Sequence, residues 1–267
     1  MARLLRKALR VFLDHDPSFC DMHDDPRAKA SARDYLAEIR QHLTQRFGEK
    51  RVAILDGGCQ AGRLLIPLAE DGHRMIGIDT SAFALRRARR HAKERGLSIQ
   101  LYRGDLASLR RWIRPASVDA AICAEVLYLC RDHDALLGLL AESVAPGGLL
   151  FVSHRPQLYY VTMAVRAGRL DLAEWMLTHA EGPNTEGDYH NWQTPEQLAA
   201  CYRRHGLRTL ACHALDSLVV SFDRAAVSEA CVARFLSEAQ IGESTIRIPG
   251  YLLVAAQRPL PGEPLVG

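Results

Sequence analysis

Residues 52–62 read Val52-Ala53-Ile54-Leu55-Asp56-Gly57-Gly58-Cys59-Gln60-Ala61-Gly62, and the rest of the chain is read outward from them. Val52–Leu55 is a short continuous apolar run, the pattern of a parallel strand buried on both faces. It ends in a carboxylate, Asp56, and the glycines Gly57, Gly58 and Gly62 follow before an apolar helix expected over Arg63–Glu70. Strand, glycine-rich turn and helix form the nucleotide-binding half of a doubly wound sheet, with the ligand at the carboxyl end of the strand. A carboxylate is a poor neighbour for a pyrophosphate. It is a good one for a ligand with a cationic amino-acid end.

The spacing downstream agrees. Met75–Ile78 is a second apolar strand that ends in Asp79, an acid able to accept two hydrogen bonds from ribose hydroxyls, and Ser81 can cap the helix after it. A third strand, Ile99–Tyr102, leads into Gly104-Asp105-Leu106. A fourth, Val118–Cys123, is followed by Glu125, and Ala145-Pro146-Gly147-Gly148 turns into a fifth, Leu149–Ser153.

This ordered set, over about residues 50–155, resembles the class I S-adenosylmethionine-dependent methyltransferases. The resemblance implies an α/β fold: a doubly wound, mostly parallel seven-stranded Rossmann-like sheet whose closing strand is antiparallel, with N-terminal helices and a helical lid inserted after strand five. It implies S-adenosyl-L-methionine as cofactor. Asp56, Gly57, Gly58 and Gly62 would lie by its methionine end, Asp79 and Thr80 by the ribose, and Asp105 and Leu106 by the adenine. Being the cap of a helix is the plainer role for each acid, set aside because all three stand at carboxyl ends of strands. The family's turn carries a glycine where this chain has Gln60, so Gln60 is expected to adopt a compatible backbone angle with its side chain turned away.

The organisation expected is an N-terminal helical extension over residues 1–49, a methyltransferase domain over 50–258 with the insertion at 155–193, and a tail over 259–267. Residues 1–13 read as a basic amphipathic helix, with Leu5, Leu9, Phe12 and Leu13 on one face. It is expected to pack on the body of the protein or on a second subunit rather than to insert in a membrane. Cys20-Asp21-Met22-His23-Asp24-Asp25 has the residue types of a metal cluster, but adjacent loop residues rarely converge on one ion. It reads as a capped loop before a helix at about Ala28–Phe47, and no metal is expected.

Beyond strand five, helices are expected at Gln157–Arg166 and Leu170–Thr178, then a polar loop at Glu181–Asp188. Thr194-Pro195-Glu196-Gln197 opens a helix with Thr as cap and Pro at its first position. Leu207–Leu215 and Tyr251–Gln257 are the last two strands, with a helix near Ala225–Ala239 between them.

Methyl transfer is an in-line displacement, in which a protein holds the two partners, excludes water and takes a proton when the acceptor is a hydroxyl. His190, His154 and Glu125 are the candidates for that acceptor chemistry. Glu125, His154 and the Tyr159-Tyr160 pair are expected just past strand ends on the ligand side, with Tyr189, His190 and Trp192 closing over them at the inner edge of the lid. The stretch Gly187–Leu198 is similar to the loop and helix start of quinone-biosynthesis O-methyltransferases. Those enzymes carry Glu-Val-x-Glu-His after strand four, a pattern associated with a metal. Here the run is Glu125-Val126-Leu127-Tyr128-Leu129, which lacks the second acid and the histidine.

With 48% hydrophobic and 24% charged residues in 267, the chain has the composition of a globular protein with a sizeable core. Seven scattered cysteines without a Cys-x-x-Cys pair point to a reducing, cytoplasmic setting. The net charge of +3 conceals a basic helix with Arg86, Arg87, Arg89, Arg90, Lys93 and Arg95. Phe83, Leu85 and Ala88 are spaced to face inward beneath it, so the arginines read as a solvated face. No nucleic-acid partner is expected: the Asn/Asp-Pro-Pro-aromatic run of base amino-methylases is replaced by Cys123-Ala124-Glu125-Val126. The expectation is therefore an O- or N-methyltransferase of a small molecule. Its rivals are a protein or nucleic-acid methyltransferase and a non-catalytic S-adenosylmethionine-binding assembly module.

Overall fold

The structure, a computed structural model, describes residues 21, 23–221, 240–241 and 245–265. The amphipathic segment 1–13 and the helix expected near Ala225–Ala239 lie outside the described residues. Helix α1 (Pro26–Phe47) begins two residues earlier than expected, because Asp25 caps it by accepting a hydrogen bond from the Ala28 amide and Pro26 occupies its first position. Its buried stripe is Ala32, Tyr35, Leu36, Ile39 and Leu43. Then follow β1 (Ala53–Gly57), α2 (Leu65–Glu70), β2 (Arg74–Asp79), α3 (Ala82–Glu94), β3 (Gln100–Arg103), a 3-10 turn (Leu106–Arg111) and β4 (Val118–Cys123). Pro67 is the third residue of α2, where its missing N–H breaks no intrahelical bond. Helix α3 buries Phe83, Ala84, Leu85, Ala88, His91 and Ala92, while Arg89, Arg90, Lys93 and Arg95 stand exposed. The far part of the basic face is solvated as expected, while Arg86 and Arg87 are half-buried over the Phe83 ring.

After β4 come a short 3-10 turn (Leu127–Leu129), α4 (His133–Ser143), β5 (Val144–His154), α5 (Gln157–Arg166), α6 (Leu170–Thr178), β6 (Glu181–Pro183), β7 (Tyr189–Asn191), α7 (Pro195–Arg204) and β8 (Arg208–Leu215). The remaining strands are β9 (Leu218–Ser221), β10 (Gln240–Ile241), β11 (Thr245–Ile248) and β12 (Tyr251–Gln257). The main sheet has seven strands in the order β3-β2-β1-β4-β5-β12-β8. Strand β1 is parallel to β2 and β4, and β2 to β3, while β12 is antiparallel to both β5 and β8. This is the doubly wound, mostly parallel sheet expected. Its one reversed strand, β12, is the closing strand in sequence and lies one place in from the edge. Smaller sheets join β10-β11-β9 and β6-β7.

The chain forms two compact units. One runs to Ile122 and takes in Ser143–Ala145; the other is Cys123–Glu142 with the residues from Pro146 onward. Within the second, the region after β5 differs from the expectation in one respect. The polar loop at 181–188 is the turn of a hairpin: Glu181–Pro183 pairs with Tyr189–Asn191, and Asn184 Oδ1 accepts the Glu186 and Asp188 amides. The region also has a core of its own, in which Trp192 and Tyr160 pack with Leu158, Val161, Ala164, Leu172, Ala173, Met176 and Ile248. Trp192 is fully buried and its indole N–H donates to the His179 carbonyl. It packs this core, which corrects its expected place at the inner edge of a lid. No helix among the described residues is long and apolar enough to cross a membrane.

Gly77, in the middle of β2, shows how tightly the first unit is packed. A Cβ there would lie 2.6 Å from Leu65 Cδ1 and 2.7 Å from both Cys59 Sγ and Leu101 Cδ2. Gly77→Ala is expected to cost about 1–3 kcal/mol through overpacking, read as a lower urea midpoint with an unchanged slope. An unchanged midpoint would show that the three side chains yield freely.

Candidate active site

The turn after β1 is built by backbone and two carboxylates. The Gly58 and Cys59 amides donate to the Ile78 carbonyl at 2.7 and 3.2 Å, which pins the turn to the end of β2. Gly58 and Gly62 have φ of +82° and +94°, a region that glycine enters without cost. Gln60 is there too, at φ +46°. Its own side chain helps hold that angle, because Oε1 accepts the Ala61 amide at 3.0 Å. Its backbone N–H donates to Asp79 Oδ2 at 2.9 Å, and Asp79 Oδ1 accepts the Ser81 amide at 2.8 Å. Asp79 therefore ties the glycine turn to the start of α3, whose cap is Ser81. Each of its oxygens keeps a second lone pair. Thr80 is exposed beside it.

Asp56 is 3% exposed. Burial pushes its pKa up to about 7; Arg63 draws it down and Asp79 raises it. Arg63 is itself buried and lies over the Tyr35 ring at 5.4 Å. Cys59 is buried in the same turn, and burial together with Asp56 and Asp79 keeps its thiol protonated.

Asp105 takes the plainer role that had been set aside for it. It is exposed and caps the 3-10 turn, its Oδ1 accepting the Ser108 amide at 2.9 Å and the Ser108 hydroxyl at 2.5 Å, which holds its pKa down. The spacing Asp105-x-x-Ser108 is itself a cap signature. Leu106 is buried behind it.

The second unit holds a polar and aromatic group that sequence reasoning missed. Arg155, just past β5, has its guanidinium 4.1 Å from the Tyr159 and Tyr251 ring centres and 5.6 Å from that of Tyr128. It donates to the Tyr251 hydroxyl, which donates to Glu125 Oε2 at 3.0 Å. Glu125 has φ +61°, and its amide donates to Ser153 Oγ at 2.7 Å. The His190 ring, partly exposed, stacks on Tyr128 at 5.7 Å between centroids and leans on Tyr160 at 5.4 Å. Tyr189 lies under Arg131, and its hydroxyl donates to Glu181. Of the three candidates for acceptor chemistry, Glu125 and His190 thus belong to one group, joined through Tyr128 and Tyr251.

His154 does not join it. Its ring is buried, its Nε2 is 2.9 Å from the Tyr202 hydroxyl, and burial, aided by His133, pushes its pKa down to about 3. It lines a cavity of about 310 Å³ with Leu127, His133, Gln193, Leu198 and Cys201. The lining of that cavity includes neither Glu125 nor His190. A neutral ring committed to a buried tyrosine is a packing element, and this corrects the expectation for His154.

Residues 54–148 match the model of a methyltransferase domain. A ubiquinone biosynthesis O-methyltransferase from Brucella anthropi is 30% identical over 198 residues, covering 70% of this chain and 74% of that protein. The chain belongs to the class I S-adenosylmethionine-dependent methyltransferases. A relative of the same name from Xylella fastidiosa is 29% identical over 73% of this chain and 77% of its own length. One from Idiomarina loihiensis is 35% identical, but the match spans only 47% of that protein. The fold is that of a magnesium protoporphyrin IX methyltransferase from Synechocystis with bound SAH (16% identity, TM-score 0.58, 95% of this chain and 94% of that one). It is also that of an S-adenosylmethionine-dependent methyltransferase from Mesorhizobium loti (21% identity, TM-score 0.55, 82% and 96%). The chain is thus an enzyme that takes its methyl group from S-adenosylmethionine.

The turn fits that donor. A buried carboxyl held near neutrality by desolvation is a group that a cationic ligand would stabilise as the anion. Since the cation favours the ionised form, binding should release the proton that Asp56 holds below about pH 7. Affinity for S-adenosylmethionine is therefore expected to rise with pH below about 7, by at most about tenfold per unit, and to level off above it. Asp56→Asn should remove this dependence, as titration calorimetry across pH would show. In the ligand-free protein the sign is opposite. The folded state holds a proton that the unfolded Asp56 has lost, so this group lowers stability as pH rises from about 4 to about 7.

Gln60→Gly should retain donor affinity, since glycine enters the same backbone angle freely; a loss of more than about tenfold (about 1.4 kcal/mol) would mean that the glutamine side chain contacts the ligand.

Proposed function

We propose that this enzyme methylates a hydroxyl oxygen of a small, flat, acidic molecule such as a phenol bearing an anionic group. The observation that carries this reading is Arg155, held between the Tyr159 and Tyr251 rings and hydrogen-bonded to the Tyr251 hydroxyl. A guanidinium held flat by two aromatic faces is suited to a carboxylate or phenolate. The rings beside it suit an aromatic acceptor. The shared name of the relatives, ubiquinone biosynthesis O-methyltransferase, supports oxygen as the methylated atom. Where the quinone-biosynthesis pattern has its second acid, this chain has Tyr128, which stacks on His190 and faces Arg155.

Bound S-adenosylmethionine supplies an electrophilic methyl group on a sulfonium. In this reading Asp56 balances the charge of its amino-acid end beside the backbone of Gly57, Gly58 and Gly62. Asp79 with Thr80 holds the ribose, and Asp105 with Leu106 borders the adenine. Arg155 orients the acceptor, and Glu125 fixes Arg155 through Tyr251. His190, with its ring supported on Tyr128 and Tyr160, takes the hydroxyl proton. Residues 50–258 act as the catalytic domain and 155–193 as its acceptor-side insertion. The setting is the cytoplasm, supported by free thiols at Cys59, Cys123, Cys130, Cys201 and Cys212 among the described residues.

The test is transfer of labelled methyl from the donor into a panel of phenols with and without a carboxylate. Arg155→Gln should raise KM for the anionic acceptor by about 10–100-fold, the worth of one charge-assisted hydrogen bond, with donor affinity unchanged. His190→Ala should lower kcat by about 10²–10⁴-fold while the melting temperature stays within a degree or two. A fall in melting temperature with activity lost only in proportion would make His190 a packing residue. Equal KM for charged and uncharged acceptors would sink the acidic-acceptor reading.

A further inference from the structure

Near the N-terminal end of α1, the first unit gathers a set of metal-ligand side chains outside the site described above. His91, on the buried face of α3, reaches the loop before α1, and its Nε2 lies 3.1 Å from Asp21 Oδ2 and 3.8 Å from Asp24 Oδ2. The His23 ring packs on the His91 ring with centroids 4.2 Å apart. Single ligand atoms of His23, Asp24 and His91 all lie within 4.8 Å of one another. The loop is shaped around them, since the His23 amide donates to Asp21 Oδ1.

One atom in the group is unexplained by protein contacts. His23 is 7% exposed, and its Nε2 is buried with no hydrogen-bond partner. A buried imidazole nitrogen left so is destabilising unless something meets it.

We propose that His23, His91, Asp24 and Asp21 bind a zinc ion that fastens the loop before α1 to α3. Two imidazoles and two carboxylates suit a tetrahedral divalent ion with borderline-soft character. The ion takes the place of the hydrogen between His91 Nε2 and Asp21 Oδ2, and that proton leaves to solvent. The surroundings are mixed in charge. Glu94 Oε2 is 3.9 Å from His91 Nδ1, and Lys29 is 3.9 Å from Asp24. Arg95 donates to the His91 carbonyl and pairs with Glu70 and Glu94. The cluster of Asp134, Cys201 and His205 is different in kind. There the Arg204 guanidinium already occupies the same Asp134 oxygen that faces Cys201 and His205.

The experiment uses the full-length protein stripped with a chelator and titrated with Zn²⁺ against a chromophoric competitor. One equivalent should bind with a Kd on the order of 10⁻⁷ M or tighter, and it should raise the melting temperature. His23→Leu should weaken binding roughly tenfold or more, while its metal-free melting temperature stays at or above that of the parent, since Nε2 has no bond to lose. Asp24→Asn, at a residue whose side chain is 60% exposed, should weaken zinc in the same way without a folding risk. Cys201→Ser should leave zinc binding unchanged. No saturable binding below about 10 µM, or parental affinity in both His23→Leu and Asp24→Asn, would overturn the proposal and leave the Asp21–His91 hydrogen bond as the whole of the contact.

Discussion

The carboxylate of Asp79 is the constraint on which the donor half depends. One oxygen holds the amide of Gln60 and the other that of Ser81, so a single side chain sets both the glycine turn and the start of α3. Charge-assisted bonds of this kind contribute about 1.5–3 kcal/mol each. That is enough to offset the cost of about 1–2 kcal/mol for placing a residue with a Cβ at φ +46°. The turn keeps its shape without a glycine at that position because the acid at the end of the neighbouring strand enforces it.

Much of the first unit was legible in the sequence for this reason. Continuous apolar runs ending in an acid are a local signal, and the β1 and β2 strands followed from it with Asp56 and Asp79 at their ends. The capping of α7 by Thr194 was local as well, whereas the Asp25 cap that starts α1 two residues early was not read. Asp105 shows a local signal passed over: its cap role was written in Ser108, three residues on, and stands beside the place at the adenine proposed for it. The hairpin of β6 and β7 was missed because its strands are three residues each, too short for an alternating pattern to declare itself.

What could not be read is what the fold brings together from far apart. Arg155 and Tyr251 are 96 positions apart, Glu125 and Tyr251 are 126, and Asp21 and His91 are 70. In sequence His91 looks like one more member of a basic helix, and only its phase with Ala88 and Ala92 places it on the buried face. The aromatics between Tyr159 and Trp192 looked uniform by composition. Packing divides them: Trp192 and Tyr160 fill a core, whereas Tyr159 supports a guanidinium.

Cys59 sits inside the turn assigned to a sulfonium donor, and a methyl sulfonium is an electrophile toward any strong nucleophile near it. The strongest one a protein can offer is a thiolate. Burial and the two neighbouring carboxylates hold Cys59 as the thiol. The same acids that suit a cationic ligand therefore also disfavour the thiolate of Cys59, the form in which a thiol is a strong nucleophile toward a sulfonium.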